Sequence, residues 1–254
     1  MPTVWLSTRS KWSRMSQDKR SHSPDTLDLL NLGELTVIGR MPYSSNATFL
    51  VEVAMNSTKV QAIYKPRRGE RSLWDFPGGL FMREVAAFQL SKTLGWDLIP
   101  LTVFRSDGPF SDGSLQLFVE ADFAQHYFTL LERPELHPQF KKFAVFDIIA
   151  NNADRKSGHL LIDNDDHIWG IDQGLCFHCE PKLRTVIWEF AGEPIPHELL
   201  EELVQKRDGC SETLSKFLDQ EEVVAFKERV SQLLKARRFP VPNPDMRCYP
   251  WPLI

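Results

Sequence analysis

Residues 151–174 read NNADRKSGHLLIDNDDHIWGIDQG. The apolar runs in HLLID (159–163) and HIWGID (167–172) flank the polar turn NDD (164–166), a pattern that predicts a β-hairpin. Asp154 stands in the loop before the hairpin and Asp172 at its end, so the fold of this stretch carries two carboxylates to one place. A surface loop needs no such arrangement.

Just upstream, QFKKFAVFDIIANN (139–152) is apolar nearly all round and closes on two asparagines, which tolerate the left-handed conformation that ends helices; it predicts a core helix. Farther back the period changes. ATFLVEVAM (47–55) alternates with Phe49, Val51, Val53 and Met55 on one face, and with LDLLNLGELTVIGR (27–40) and TKVQAIYK (58–65) it predicts an antiparallel meander. MPYSSNA (41–47) supplies a tight loop with free backbone N–H groups. FMREVAAFQLSKTLGW (81–96) is a buried helix ended by Gly95, and IPLTVFR (99–105) and SLQLFVE (114–120) return to strand. Beyond Asp122 the chain is mostly helical, with helices expected over PHELLEELVQKR and EEVVAFKERVSQLLKARR, then a proline-rich extended tail. The resulting division is a flexible basic arm (1–28), a β-rich lobe (29–121), a helical lobe (122–239) and a tail (240–254).

A length of 254 residues with 42% apolar content is enough to bury a core, and a net charge of −4 gives no global attraction to nucleic acid or an anionic membrane. Four cysteines are too few for a disulfide-built domain, and no apolar run reaches the length of a membrane span, so a reducing cytoplasm is the expected compartment. The Cys176-x-x-Cys179 pair has no second pair to complete a zinc site and reads as reduced thiols.

The order of these segments resembles the phosphatidylinositol 3/4-kinase-like superfamily, in the style of type II phosphatidylinositol 4-kinases and bacterial HipA-type kinases. The match rests on NNADRKSGHLL and IWGIDQG, preceded in order by GRMPYSSNATFLV, AIYKPRRGE and REVAAFQLSKTLG. The resemblance implies an α+β, two-lobed protein-kinase-like fold with an antiparallel β-rich N-lobe and a mainly helical C-lobe. It also implies ATP and Mg²⁺ as cofactors, with nucleotide in the cleft between the lobes.

On that reading Lys65 binds the nucleotide phosphates with Glu84 as its partner, although Arg67, Arg68 and Arg83 are alternative partners for that carboxylate. Ser44, Ser45 and Asn46 form the phosphate-covering loop, and Val119 and Glu120 offer hinge backbone to the adenine edge. Asp154 and Arg155 form the catalytic loop, Asp154 taking or orienting the acceptor proton, and Asp172 holds the metal. His159 stands where the family has a metal-binding Asn, five residues after Asp154; as an imidazole it suits Mn²⁺ better than Mg²⁺, or else contacts a phosphate or positions Asp154. Asn152 and Asp163 are candidates for a replacement oxygen.

The expected activity is transfer of the γ-phosphoryl group of ATP to a hydroxyl, on a protein Ser/Thr or a soluble small molecule in preference to an inositol lipid. The rivals are an ATP-binding pseudokinase acting as an interaction module, which His159 favours, and a nucleotidyltransferase on the same scaffold.

Overall fold

The computed structural model of the chain describes residues 24–42, 44 and 46–254. Its first element, α1 (Pro24–Leu32), lies partly within the segment expected to be a flexible arm to residue 28, because Leu29 and Leu30 are buried against the sheet and hold the helix there. The rest of that arm, residues 1–23, lies outside the described residues.

Strands β1 (Glu34–Arg40), β2 (Phe49–Met55), β3 (Thr58–Pro66), β4 (Thr102–Arg105) and β5 (Gly113–Leu117) form one antiparallel sheet in the order β1-β2-β3-β5-β4. The two-residue period of β3 divides its side chains: Ala62 and Tyr64 are fully buried in the core, whereas Ile63 and Lys65 line the cleft on the other face. A one-residue slip would bury the lysine, so the pairing of Val51 with Ala62 and of Lys65 with Ser114 fixes where that cation points. Helix α2 (Leu80–Leu94) packs against β4 and β5. Gly95 ends it at φ 68°, a left-handed conformation suited to glycine, and its N–H caps the Lys92 carbonyl.

The second half contains the short α3 (Tyr127–Leu130), the core helix α4 (His137–Ala150), the hairpin β6 (Leu160–Ile162) and β7 (Ile168–Gly170), and helices α5 (His197–Leu214) and α6 (Gln220–Ala236). Phe140, Phe143 and Phe146 of α4 are fully buried, as its all-round apolar character requires. Asn151 ends the helix at φ 50° and donates its backbone N–H to the Ile148 carbonyl.

The halves are joined at several points. Helix α2 packs on α5. Beside that contact the buried Arg83 of α2 forms an ion pair with Glu222 of α6 and donates to the Cys176 carbonyl at 2.6 Å. The proline-rich tail is extended but does not trail away: Cys248 accepts from the Thr185 N–H and the Trp188 indole, each at 3.1 Å, and Leu253 accepts from the Ser157 N–H at 2.8 Å.

Removing one member of a buried ion pair strands the other, which costs about 3 kcal/mol or more. Glu222→Gln should therefore lower stability by about that amount in urea unfolding, and the double change Arg83→Met with Glu222→Leu should recover much of the loss.

Candidate active site

Beneath the loop 151–159 lies a buried polar frame. Arg155 and Asp147 are both wholly buried; the guanidinium donates to Asp147 through Nε at 3.1 Å and Nη2 at 2.9 Å, and to Gln173 Oε1 at 2.9 Å and the Ile171 carbonyl at 3.2 Å. Asp147 also accepts from Asn152 Nδ2 and Thr185 Oγ1, both at 3.1 Å. Asn152 Oδ1 accepts the Asp154 N–H at 2.9 Å. Asp147 from α4, Asn152 and Arg155 from the loop, Gln173 from the segment after β7 and Thr185 farther along the chain thus share one network, and it sets the Asp154 backbone.

Above the frame, between the sheet and the helical half, lies a cleft of about 910 Å³. Its inner end is apolar, lined by Ile63, Leu117, Phe118, Val119, Leu161 and Ile171. Its outer end is charged. Lys65 Nζ bonds Glu84 and also Asp172 Oδ1, the latter at 2.9 Å, and the Glu84 carboxylate accepts the Gln173 N–H at 2.9 Å through its other oxygen. Burial alone would lower the Lys65 pKa, but Asp172 and Glu84 outweigh it and hold the ammonium above its ordinary value. Lys65 in turn holds Asp172 well below the usual carboxylate range. Burial raises Glu84, against the pull of Lys65. Asp172 adopts φ 59°, and its side chain, half-exposed, faces the cleft.

Asp154 lines the same end with Lys156, whose ammonium lies 2.9 Å from its carboxylate. Burial raises the Asp154 pKa, opposed by Lys156. His159 Nε2 lies 3.5 Å from Asp172 Oδ2, while Nδ1 accepts a long 3.4 Å bond from the Lys156 N–H. Burial pushes the imidazole down to about 4, so it is neutral near pH 7, and the bond at Nδ1 leaves the ring proton on Nε2, facing Asp172.

The structure brings together Lys65, Glu84, Asp154, His159 and Asp172, with Val119, Ser44 and Asn46 along the same cleft. None of the three alternatives is the partner of Glu84: Arg83 pairs with Glu222, Arg67 with Asp112 at 3.1 Å, and Arg68 is exposed. Arg155 does not reach the cleft; it is buried below the loop and positions it, which corrects its expected place among the catalytic groups. Glu120 is exposed and outside the cleft lining, unlike Val119 before it. Ser45 lies outside the described residues. Ser44 bonds Thr48 at 2.8 Å and Asn46 accepts the Arg71 N–H at 2.9 Å, so both brace their loop.

Neither proposed substitute for the missing Asn is free: Asn152 serves the buried frame, and Asp163 accepts from the Trp169 indole at 2.8 Å in the hairpin. Cys176 is buried, its thiol pushed up by that burial, whereas Cys179 is exposed, so the pair forms no joint site. Asp147 carried no signal in the sequence because it lies within an apolar helix. Its burial beside Arg155 emerges only from the tertiary fold.

Among the described residues no group of three His, Cys, Asp or Glu side chains is disposed to hold a metal unaided. A hard cation that takes most of its ligands from nucleotide phosphates and water needs only one or two protein carboxylates, and the Asp172 oxygens fit that requirement. His159 fits it less well as a ligand, since the tautomer set by Lys156 turns a proton rather than a lone pair toward Asp172.

The sequence over residues 35–227 matches the model of the family described as phosphatidylinositol 3- and 4-kinase. The chain is 37% identical to Protein Rv2133c of Mycobacterium tuberculosis (strain ATCC 25618 / H37Rv), over 87% of this chain and 92% of that protein. Its fold is similar to that of hydra Fam20 with sugar, at a TM-score of 0.56 and 13% identity over 83% of this chain and 86% of the other. It is also similar to the Golgi casein kinase with Mn/ADP bound, at a TM-score of 0.53 and 14% identity over 89% and 81%.

Because the folded His159 has its pKa near 4 and an unfolded histidine about 6.5, the unfolded chain binds the extra proton between those values. The neutral ring's contribution is complete above about pH 6.5 and is lost as pH falls toward 4, a change on the order of 3 kcal/mol. Chemical denaturation at a series of pH values should show this slope, and His159→Asn should flatten it.

Proposed function

The chain belongs to the phosphatidylinositol 3- and 4-kinase family, and from that premise we propose that it transfers the γ-phosphoryl group of ATP to a hydroxyl acceptor. The observation that carries this is the chain of charges from Glu84 through Lys65 to Asp172, facing Asp154 across one cleft. The apolar inner end suits a purine, with backbone near Val119 for its edge. Lys65, held cationic by two carboxylates, binds phosphate oxygens, and Glu84 keeps it aimed there. The Mn and ADP in the Golgi casein kinase structure support nucleotide and divalent-metal use here. Bound at Asp172, such an ion would neutralise charge on the triphosphate.

Asp154 is the acceptor-side base. The acceptor oxygen attacks the γ-phosphorus, the bond to the β-bridging oxygen breaks, ADP leaves, and the hydroxyl proton passes to or is oriented by Asp154. Lys156 beside it screens the approach of the anionic phosphoryl group. His159 in this reading positions Asp172 through its N–H and is not a metal ligand. The lobes divide near Ala121, and the acceptor is a protein hydroxyl or a soluble small molecule. The free cysteines support a reducing, cytoplasmic setting, and no described helix is long and apolar enough to cross a membrane.

Asp154→Ala should lower γ-label transfer by about 10²–10⁴-fold while leaving ATP affinity nearly unchanged. Transfer of α-label with release of pyrophosphate would instead establish a nucleotidyltransferase, and nucleotide binding with no transfer of either label a pseudokinase.

The pH profile supplies a second test. Asp154 must be ionised to accept the proton and its pKa is raised, so the rate should fall on the acid side at a pH above that of an ordinary aspartate. Lys156 lowers that pKa, so Lys156→Met should shift the acid limb to higher pH.

A further inference from the structure

We infer that residues 247–254 form a fixed wall of the acceptor pocket, and that this wall restricts the acceptor to a small hydroxyl compound and excludes an extended polypeptide. The inference rests on the phosphotransfer reading above and settles the acceptor class which that reading leaves open.

The segment lies on the acceptor side of the cleft. Arg247, Pro250, Trp251 and Pro252 line the same space as Asp154, Lys156 and Arg184. It is pinned on both sides of Trp251: Cys248 accepts from the Thr185 N–H and the Trp188 indole, and Leu253 accepts from the Ser157 N–H. Pro250 is buried, and Tyr249 meets the Trp188 ring at 6.5 Å. Ser157 and Thr185 are themselves buried, so lifting the segment would break both bonds and uncover backbone that is now enclosed.

One way a polypeptide acceptor docks is in extended form, by main-chain hydrogen bonds to an open edge. Beside Asp154 those donors are already used. Ser157 and Thr185 give theirs to the segment, Arg184 gives its N–H to the Asn152 carbonyl, and Val186 gives its N–H to the Arg155 carbonyl. A strand from another protein finds these donors taken, whereas a small compound held by side chains does not need them.

The wall also supplies recognition. Trp251 lines the cleft yet is 77% exposed, an apolar face offered to a ligand rather than to the core. Arg247, Arg184 and Lys156 stand around it with cationic ends. The pocket therefore takes a small hydroxyl compound with one apolar face to lie on the indole, its hydroxyl directed to Asp154.

The test uses the full chain and two readouts. In the first, γ-labelled ATP and Mn²⁺ are supplied with a cell extract separated by ultrafiltration into small-molecule and macromolecular fractions. The expected result is label in the small-molecule fraction, with Trp251→Ala lowering the rate at limiting extract by about tenfold and leaving the affinity for a non-hydrolysable ATP analogue unchanged. Trp251 is largely exposed, so this change spares the fold. Label in proteins, or equal transfer by Trp251→Ala, overturns the inference.

In the second, hydrogen exchange is followed at the Ser157 and Thr185 amides with the ATP analogue and Mn²⁺ bound; slow exchange at both upholds a seated wall, and fast exchange at both overturns it whether or not label moves. If neither fraction is labelled while both amides stay protected, the phosphotransfer reading and the acceptor class fall together and the wall alone stands.

Discussion

Everything in the cleft depends on one buried ion pair that never touches it. Asp147 and Arg155 are wholly enclosed, and two charges taken out of water are tolerable only when their remaining hydrogen-bonding capacity is met. Here Gln173, Asn152, Thr185 and the Ile171 carbonyl meet it. Those partners come from three stretches of chain, the loop at Asn152, the segment 171–173 and Thr185, so satisfying the pair fixes the loop carrying Asp154 relative to the segment carrying Asp172. Removing one member would cost about 3–5 kcal/mol, and the geometry of the carboxylates above would go with it.

The charges in the cleft are arranged as a graded series. Glu84 is buried, Lys65 is partly so, and Asp172 is half-exposed, so the cation is bound from behind by one carboxylate and in front by another. The front carboxylate is the one open to the cleft. In the phosphotransfer we propose, Lys65 would turn from Asp172 to phosphate oxygens without losing its rear partner, which would leave the Asp172 oxygens to a hard cation. His159 stands 3.5 Å from the same carboxylate as a neutral ring.

The sequence made the fold legible where periodicity is strong. The alternation of 47–55 and 58–65, the apolar helix 139–152 and the hairpin after it all stand where their patterns place them, and Lys65, Glu84, Asp154 and Asp172 converge because those elements do. Arg155 was misread because a motif gives a residue's neighbours in sequence and not the direction of its side chain. Asp147 was invisible for the converse reason: a single carboxylate inside FAVFDIIA has no partner within reach along the chain. The tail misled because prolines predict an extended backbone truthfully, yet say nothing of where the extended backbone is held. Cys248 and Leu253 contribute carbonyls, which no side-chain pattern records.

Arg83 and Glu84 are adjacent on α2, yet they face different parts of the molecule. One is locked to α6 and to the carbonyl of Cys176, and the other to Lys65 and the backbone of Gln173. The helix that presents the carboxylate to Lys65 is thereby riveted to the opposite half of the protein. It cannot swing outward to disarm the lysine without stranding a buried guanidinium. Any outward movement of that helix therefore carries the cost of a buried, unpaired charge, which couples the rear partner of Lys65 to the packing of the opposite half.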